Sequence, residues 1–179
     1  MTRRDSSHLG RIARACSLAA ILVFPLAAFA DDYADVNQLL KQGKRDQALA
    51  KADQYLTAKP RDPQMRFLKG VIQAESGHGA DAIATYTQLT QEYPELPEPY
   101  NNLAVLYAQQ NEYDKAREAL EGAVRANPNY ATAHENLGDV YAKLASESYA
   151  KAQQIEPAST SAAAKLALAR QLLSTPAKR

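Results

Sequence analysis

The sequence predicts an all-α fold, an α-solenoid of stacked helix pairs, from its composition and from a period of 34 residues. The chain has 179 residues, of which 35 are Ala, 11 are Val or Ile, and none is Trp. An excess of Ala, Leu, Gln, Glu, Lys and Arg over β-branched residues favours helix over strand. Three prolines and three alanines recur at this spacing: Pro60, Pro94 and Pro128, and Ala48, Ala82 and Ala116. Such a period is typical of helix pairs that bury their apolar faces only by stacking on one another.

The first thirty residues have the pattern of a secretory signal peptide. Four arginines precede sixteen uncharged residues, 15–30, and the stretch ends in Ala28-Phe29-Ala30. A basic head, a short apolar run and an Ala-x-Ala exit predict cleavage after Ala30. The alternative is a membrane anchor, but a span needs about 20 apolar residues and Pro25 interrupts this run. We therefore expect a mature protein without a membrane span, exported to a bacterial periplasm.

Charge and cysteine content exclude several classes of function. The single cysteine, Cys16, lies in the predicted signal peptide, so the mature chain has none for a disulfide, a thiol nucleophile or a zinc site. The 21 basic and 20 acidic side chains nearly cancel, and removal of the signal peptide leaves 17 and 19. No basic field remains of the kind that nucleic-acid binding requires, and we expect no nucleic-acid partner.

The 34-residue period divides the chain into units at about 29–62, 63–96 and 97–130, with a shortened fourth unit at 131–159. In the third unit, an aromatic, a Leu, a small residue and a Tyr share the first helix, and small and bulky residues alternate on the second. These residues are Tyr100, Leu103, Ala104 and Tyr107, then Ala116, Leu120 and Ala123. This pattern resembles the tetratricopeptide repeat (TPR) family, in an exported bacterial form. The resemblance implies a superhelical TPR domain over 31–174, whose first helices line a concave groove that receives an extended or helical peptide.

The fourth unit departs from the pattern because its second helix returns to register only if five residues are missing after Tyr141. Nothing between Lys143 and Ala150 breaks a helix, so either the turn is tighter there or two helices run on as one. We expect a tight or kinked junction.

The end of the chain is predicted to form a cap. A helix at 160–173 follows a stretch of capping residues, with Leu166, Ala169 and Leu173 on one face. We expect it to be a solvating cap that covers the last apolar face of the array, followed by a tail at 175–179.

No pattern in the sequence indicates catalysis, a metal or a cofactor. His78 lies between two glycines in a predicted turn, and His134 occupies the aromatic position of a repeat helix. A second histidine does not follow His134-Glu135 at the spacing that zinc proteases use, and there is no phosphate-binding glycine loop. We expect a protein that is not an enzyme and holds no cofactor.

The phase of the resemblance implies which side chains face the groove. The candidates come from the first helices of units two, three and four: Phe67, Leu68 and Val71; Asn101, Asn102, Val105 and Gln109; and Glu135, Asn136, Asp139 and Lys143. Asn amides can pair with a peptide backbone, and Phe67 and Val71 could anchor an apolar side chain. Alternatively, the asparagines hydrogen-bond within the repeat array itself.

One sub-class of the family does not fit. TPR domains that clamp the carboxylate tails of cytosolic chaperones use Lys and Arg in the groove, whereas comparable positions here hold Phe67, Asn101, Thr132 and Glu135. The sequence therefore predicts a non-catalytic scaffold or adaptor of the bacterial cell envelope that binds a partner protein or peptide. One alternative is a self-associating structural protein, and hence a homo-oligomer. Another is an accessory factor in cell-wall metabolism, which no feature of the sequence supports.

Overall fold

The computed structural model describes residues 28–174, and within this range it contains eight α-helices and no strand. The helices are α1 (Ala28–Lys41), α2 (Arg45–Ala58), α3 (Pro63–Glu75), α4 (Gly79–Glu92), α5 (Pro97–Gln109), α6 (Tyr113–Ala126), α7 (Ala131–Ile155) and α8 (Thr160–Ser174). The predicted signal peptide up to residue 27 and the predicted tail at 175–179 lie outside the described residues. No helix in the described range is long and apolar enough to cross a bilayer.

The first six helices form three pairs, and each pair stacks on the next. α1 packs on α2, α3 on α4 and α5 on α6, while α2, α4 and α6 each pack on the helix that follows. Each turn within a pair contains one residue with positive φ: Gly43 (71°), Gly77 (81°) and Asn111 (60°). These three residues are 34 apart, and Gly and Asn are the residues that tolerate this left-handed conformation. The predicted α-solenoid is thereby confirmed.

Prolines mark the boundaries between units in two ways. Pro60 and Pro94 lie in the turns that separate successive pairs, while Pro63 and Pro97 lie in the first turn of α3 and α5. The first turn of a helix has no partner for its backbone N–H, so proline costs nothing there. The chain therefore ends one helix and begins the next at the same point of each period.

Two apolar clusters make up the core. The central cluster joins α4 to α7 through twelve buried residues: Ala82, Tyr86, Leu89, Leu103, Ala104, Leu106, Ala116, Ala119, Leu120, Ala123, Ala133 and Val140. The N-terminal cluster joins α1 to α3 through six: Val36, Ala48, Ala52, Tyr55, Met65 and Ile72. Alanine is frequent in both because a small side chain lets neighbouring helices approach closely.

The fourth unit differs from the expected one. α7 runs without interruption from Ala131 to Ile155, so the tight junction expected between Lys143 and Ala150 is wrong and the alternative of one continuous helix is correct. The reason is local, because Ala145 stands one period after Asn111, where the other pairs have a residue suited to positive φ. Alanine is the strongest helix former and disfavours that conformation, so the helix continues.

α8 packs back along α7 and covers its apolar face, as a cap should. Leu166 and Ala169 are buried, and Leu173 is partly exposed. The outer face is not the solvating one that the sequence predicts, however, because Leu168 is 62% exposed and Leu172 is 67% exposed. The cap therefore covers one apolar surface and exposes two leucines of its own.

Candidate functional site

The inner surface of the array carries one continuous groove that crosses α3, α5 and α7 and ends at α8. It consists of three depressions of about 340, 320 and 310 Å³. Val105 and Gln109 line both the first and the second, while Ala108, Asp139 and Val140 line both the second and the third. We call these joined depressions the groove.

The groove is built by residues one period apart. Because each first helix presents the same face inward, equivalent positions of α3, α5 and α7 form three rows across the array. The rows are Leu68, Asn102 and Asn136; Val71, Val105 and Asp139; and Glu75, Gln109 and Lys143. Of these nine side chains, all except Leu68 line the groove. Its floor is apolar, and Val105 at its centre is 40% exposed.

A chain of hydrogen bonds links the asparagines beneath the groove. Asn136 Nδ2 donates to Asn101 Oδ1 at 2.8 Å, Asn101 Nδ2 donates to Asn102 Oδ1 at 3.4 Å, and Asn102 Nδ2 donates to the Tyr86 hydroxyl at 3.2 Å. Asn101 is only 5% exposed, so its amide serves the packing of α5 against α7. The alternative of bonding within the array thus holds for Asn101, whereas Asn102 and Asn136 also line the groove.

Tyr86 forms the floor of the first depression. Its ring packs on Phe67, with the ring centroids 5.7 Å apart, and the side chain is 1% exposed. Burial raises the pKa of Tyr86 to about 12; the hydrogen bond from Asn102 lowers it, and the charge of Glu75 raises it. The hydroxyl oxygen accepts the hydrogen bond from Asn102.

Of the four predicted groove residues that do not line the groove, two lie on α3: Phe67 and Leu68. Phe67 lines a separate apolar depression of about 330 Å³ between the N-terminal ends of α3 and α5. Its other walls are Pro63, Gln64, Leu96, Glu98 and Pro99. Leu68 packs against the N-terminal core cluster instead. Phe67 and Val71 thus belong to two neighbouring depressions.

The charged candidates on α7 differ in their surroundings. Lys143 lies 5.2 Å from the ring centroid of Tyr113, and its Nζ is 3.7 Å from the Glu147 carboxylate. Asp139 lines two depressions, whereas Glu135 is exposed and lines none of them. In the described part of the chain, neither carboxylate has a cationic partner within 4 Å.

Several residues of this surface are not among the candidates that the sequence predicts: Glu75, Glu98 and Leu173. Glu75 was detectable because it stands one period before Gln109, which was a candidate. Glu98 sits beside the turn between units, and Leu173 belongs to the cap, so the pattern of first helices gives no signal for either. Within the described range no three His, Cys, Asp or Glu residues lie close enough to hold a metal ion.

The fold and groove define a helical-repeat protein of the solenoid class. One model of the tetratricopeptide repeat matches residues 33–97 and another matches residues 73–144. Together they span most of the described chain. The chain belongs to the tetratricopeptide repeat family.

The chain is also similar in sequence or structure to individual known proteins. The TPR repeat-containing thioredoxin TTL4 of Arabidopsis thaliana is 36% identical over 76 residues, which are 42% of this chain and only 11% of that protein. Among solved structures, MamA is 26% identical with a TM-score of 0.58, and the match covers 76% of this chain and 82% of MamA. The first TPR of Spaghetti (RPAP3), bound to the HSP90 peptide SRMEEVD, is 18% identical with a TM-score of 0.60, over 65% of this chain and 92% of that one.

Proposed function

We propose that this protein is a non-catalytic interaction scaffold that binds a segment of a partner protein in the groove. The observation that carries the proposal is the groove's composition, with an apolar floor at Val71 and Val105 and amides at its edge. An apolar floor gives affinity through burial of side chains, and amides pair with backbone groups once water leaves. Asn102 and Asn136 each use one amide hydrogen within the array and carry a second.

The family relatives support this type of function. The RPAP3 domain, which shares the fold, is bound to a short peptide. Helix pairs that leave an extended inner surface offer a rigid site to such a segment without a conformational change.

We propose that the protein is exported to the periplasm of a bacterial cell, because its N-terminal residues have the pattern of a signal peptide. The support is the basic head, the short apolar run and the exit at Ala28-Phe29-Ala30. Fractionation of the cells with N-terminal sequencing tests this. A mature N-terminus at Asp31 in the periplasmic fraction is expected, and an uncut chain in the cytosol contradicts it.

Photo-crosslinking in intact cells tests the binding function. Benzoylphenylalanine replaces Val105 in the groove or, as a matched control, Glu118, which is exposed on α6 and lines no depression. We expect mass spectrometry to find a protein adduct at position 105 that is absent at position 118. Identical adducts at both positions, or none, contradict the proposal.

A second candidate function is self-association as a structural component, favoured by the exposed leucines on the outer face of α8. Sedimentation at several concentrations separates the two candidates. If Leu168 and Leu172 join copies, the wild type forms oligomers and the variant Leu168→Glu/Leu172→Glu is a monomer. A wild type that stays monomeric at all concentrations excludes self-association.

A further inference from the structure

We infer that the groove selects a partner segment that carries Lys or Arg beside apolar side chains, an inference that rests on the proposed function. Two features of the surface support this specificity, namely the acidic side chains around it and the apolar depressions between them.

Acidic groups predominate among the charged residues that line the depressions. Glu75, Glu98 and Asp139 line them, while Lys143 is the one cation in their walls within the described chain. Glu135 adds another exposed carboxylate on α7. Carboxylates therefore outnumber cations in the combined lining of the groove and the Phe67 depression.

The nearby cations leave two of these carboxylates unpaired. Lys143 lies beside Glu147 and over the Tyr113 ring. Glu75 is 3.6 Å from Arg45, so the inference is drawn from Glu98 and Asp139 and not from Glu75. Within residues 32–174, Glu98 and Asp139 have no cation within 4 Å. Their carboxylates can pair with a ligand without losing an existing partner.

The carboxylates stand next to apolar walls. Glu98 lies at the edge of the depression formed by Phe67 and Pro99, and Asp139 lies beside Val105 and Val140. A ligand that places apolar side chains in these depressions brings its neighbouring residues to the acids. Lysine or arginine there gains attraction, whereas aspartate or glutamate is repelled, so charge sets the specificity.

The test starts with a displayed library of random 12-residue peptides, selected on the immobilised full chain. We expect enrichment of Lys and Arg together with Leu, Ile, Val or Phe over the unselected library. The enriched consensus is then synthesised, labelled with fluorescein, and its Kd is measured by fluorescence anisotropy at low and high salt. High salt should weaken binding, because it screens exposed charges.

Two charge-reversed variants locate the effect. Glu98→Lys/Asp139→Lys changes the Phe67 depression and the groove, and Glu95→Lys/Glu118→Lys makes the same change in net charge at exposed acids that line none of these depressions. We expect the groove variant to bind the consensus about tenfold more weakly and the control to stay within about twofold of wild type. Circular dichroism melts confirm that each variant is folded.

Each other outcome counts against the inference. Enrichment of acidic or uncharged peptides overturns it, as does equal weakening by the control variant. If uncharged peptides are enriched and Val105→Asp abolishes their binding, the charge inference fails while the proposed binding function stands. If no peptide is retained above the bare matrix, both fail.

Discussion

Gly70, Ala104 and Gly138 occupy equivalent positions of successive first helices, yet their surroundings differ. A β-carbon added at Gly70 would lie 2.5 Å from Cε1 of Tyr86, whereas one added at Gly138 would meet nothing within 4 Å. Gly70 therefore makes room for a buried ring, and Gly138 occupies the same position without that need.

Alanine at these two glycines is expected to change stability in opposite directions. Gly138→Ala should raise the free energy of unfolding by up to about 1 kcal/mol, the gain in helix propensity. Gly70→Ala should lower it by about 1 to 2 kcal/mol, because the clash with Tyr86 outweighs that gain. Urea unfolding of both variants provides the measurement. A loss at Gly138 or a gain at Gly70 would show that the packing differs from the one described.

Asp62 joins the first two units through four hydrogen bonds. Its Oδ2 accepts from Tyr33 at 2.6 Å and Tyr55 at 2.8 Å, and its Oδ1 accepts from the amides of Gln64 and Met65. Burial alone would raise the pKa of Asp62, but these hydrogen bonds hold it below its ordinary value. Burial and the bond to Asp62 raise the pKa of Tyr33.

The pH dependence of stability follows from these directions. Because the pKa of Asp62 is lowered, its contribution is present above the unfolded value of about 4 and is lost as the pH falls through the folded value. The pKa of Tyr33 is shifted in the opposite direction, so its contribution to stability is present at neutral pH and is lost at alkaline pH. Asp62→Asn should destabilise the protein by about 1 to 3 kcal/mol at pH 7, since an amide nitrogen cannot accept from the tyrosines.

The comparison of Asp62→Asn with wild type by urea unfolding from pH 7 to pH 2 checks this expectation. The difference between the two should shrink as the wild-type carboxylate is protonated. Asp46→Asn, at an exposed acid in the first turn of α2, is the control, with a change of about 0.5 kcal/mol or less. A difference that is independent of pH would contradict the assignment to the charge of Asp62.

The sequence predicts where the asparagines of the first helices lie, but not which residues they form hydrogen bonds with. The family resemblance makes Asn101 and Asn136 candidates for the groove; Asn136 lines it, whereas Asn101 is buried beneath it. Which one is buried depends on the approach of α7 to α5, a tertiary contact that one sequence does not encode locally. That the asparagines could instead form hydrogen bonds within the array follows from the chemistry of their side-chain amides alone.

At the scale of the element, α7 shows how two sequence signals can conflict. Repeat register favours a turn after Tyr141, whereas the local residues from Lys143 to Ala150 favour helix throughout. The local preference for helix prevails because the turn would need a residue that tolerates positive φ. Residues 143–150 contain neither Gly nor Asn. The three regular pairs were predictable because register and turn chemistry agree at Gly43, Gly77 and Asn111.

Proline scanning tests the continuity of α7. Glu147→Pro should cost about 3 kcal/mol or more, because it removes a hydrogen bond from a helix interior and clashes with the preceding turn. Ala131→Pro is the matched control, since it stands one period after Pro97 and two after Pro63, and we expect little change. Far-UV circular dichroism and urea unfolding measure both. Equal tolerance of the two prolines would point to a turn near Glu147.

At the scale of the whole molecule, the two core clusters predict uneven stability along the array. The N-terminal cluster joins three helices, while the central cluster joins four and contains the larger number of buried side chains. Solenoid units are stabilised only by their neighbours, so the end with the smaller core opens first.

Hydrogen exchange of two core variants checks this expectation. Met65→Ala, which removes a fully buried side chain, should cost about 2 to 5 kcal/mol and raise exchange mainly in α1, α2 and α3. Leu120→Ala should raise exchange throughout the central helices. A uniform rise in both variants would mean that the array unfolds as a single unit.

The position of Leu173 limits the length of chain that the groove can hold. An α-helix with its side chains is about 10 Å wide, so the path from α3 across α5 and α7 to α8 measures roughly 30 Å or more. An extended backbone advances about 3.3 Å per residue, so about nine residues fill that distance. Because Leu173 of α8 forms a wall of the last depression, we expect a longer ligand to extend past α3 rather than past α7.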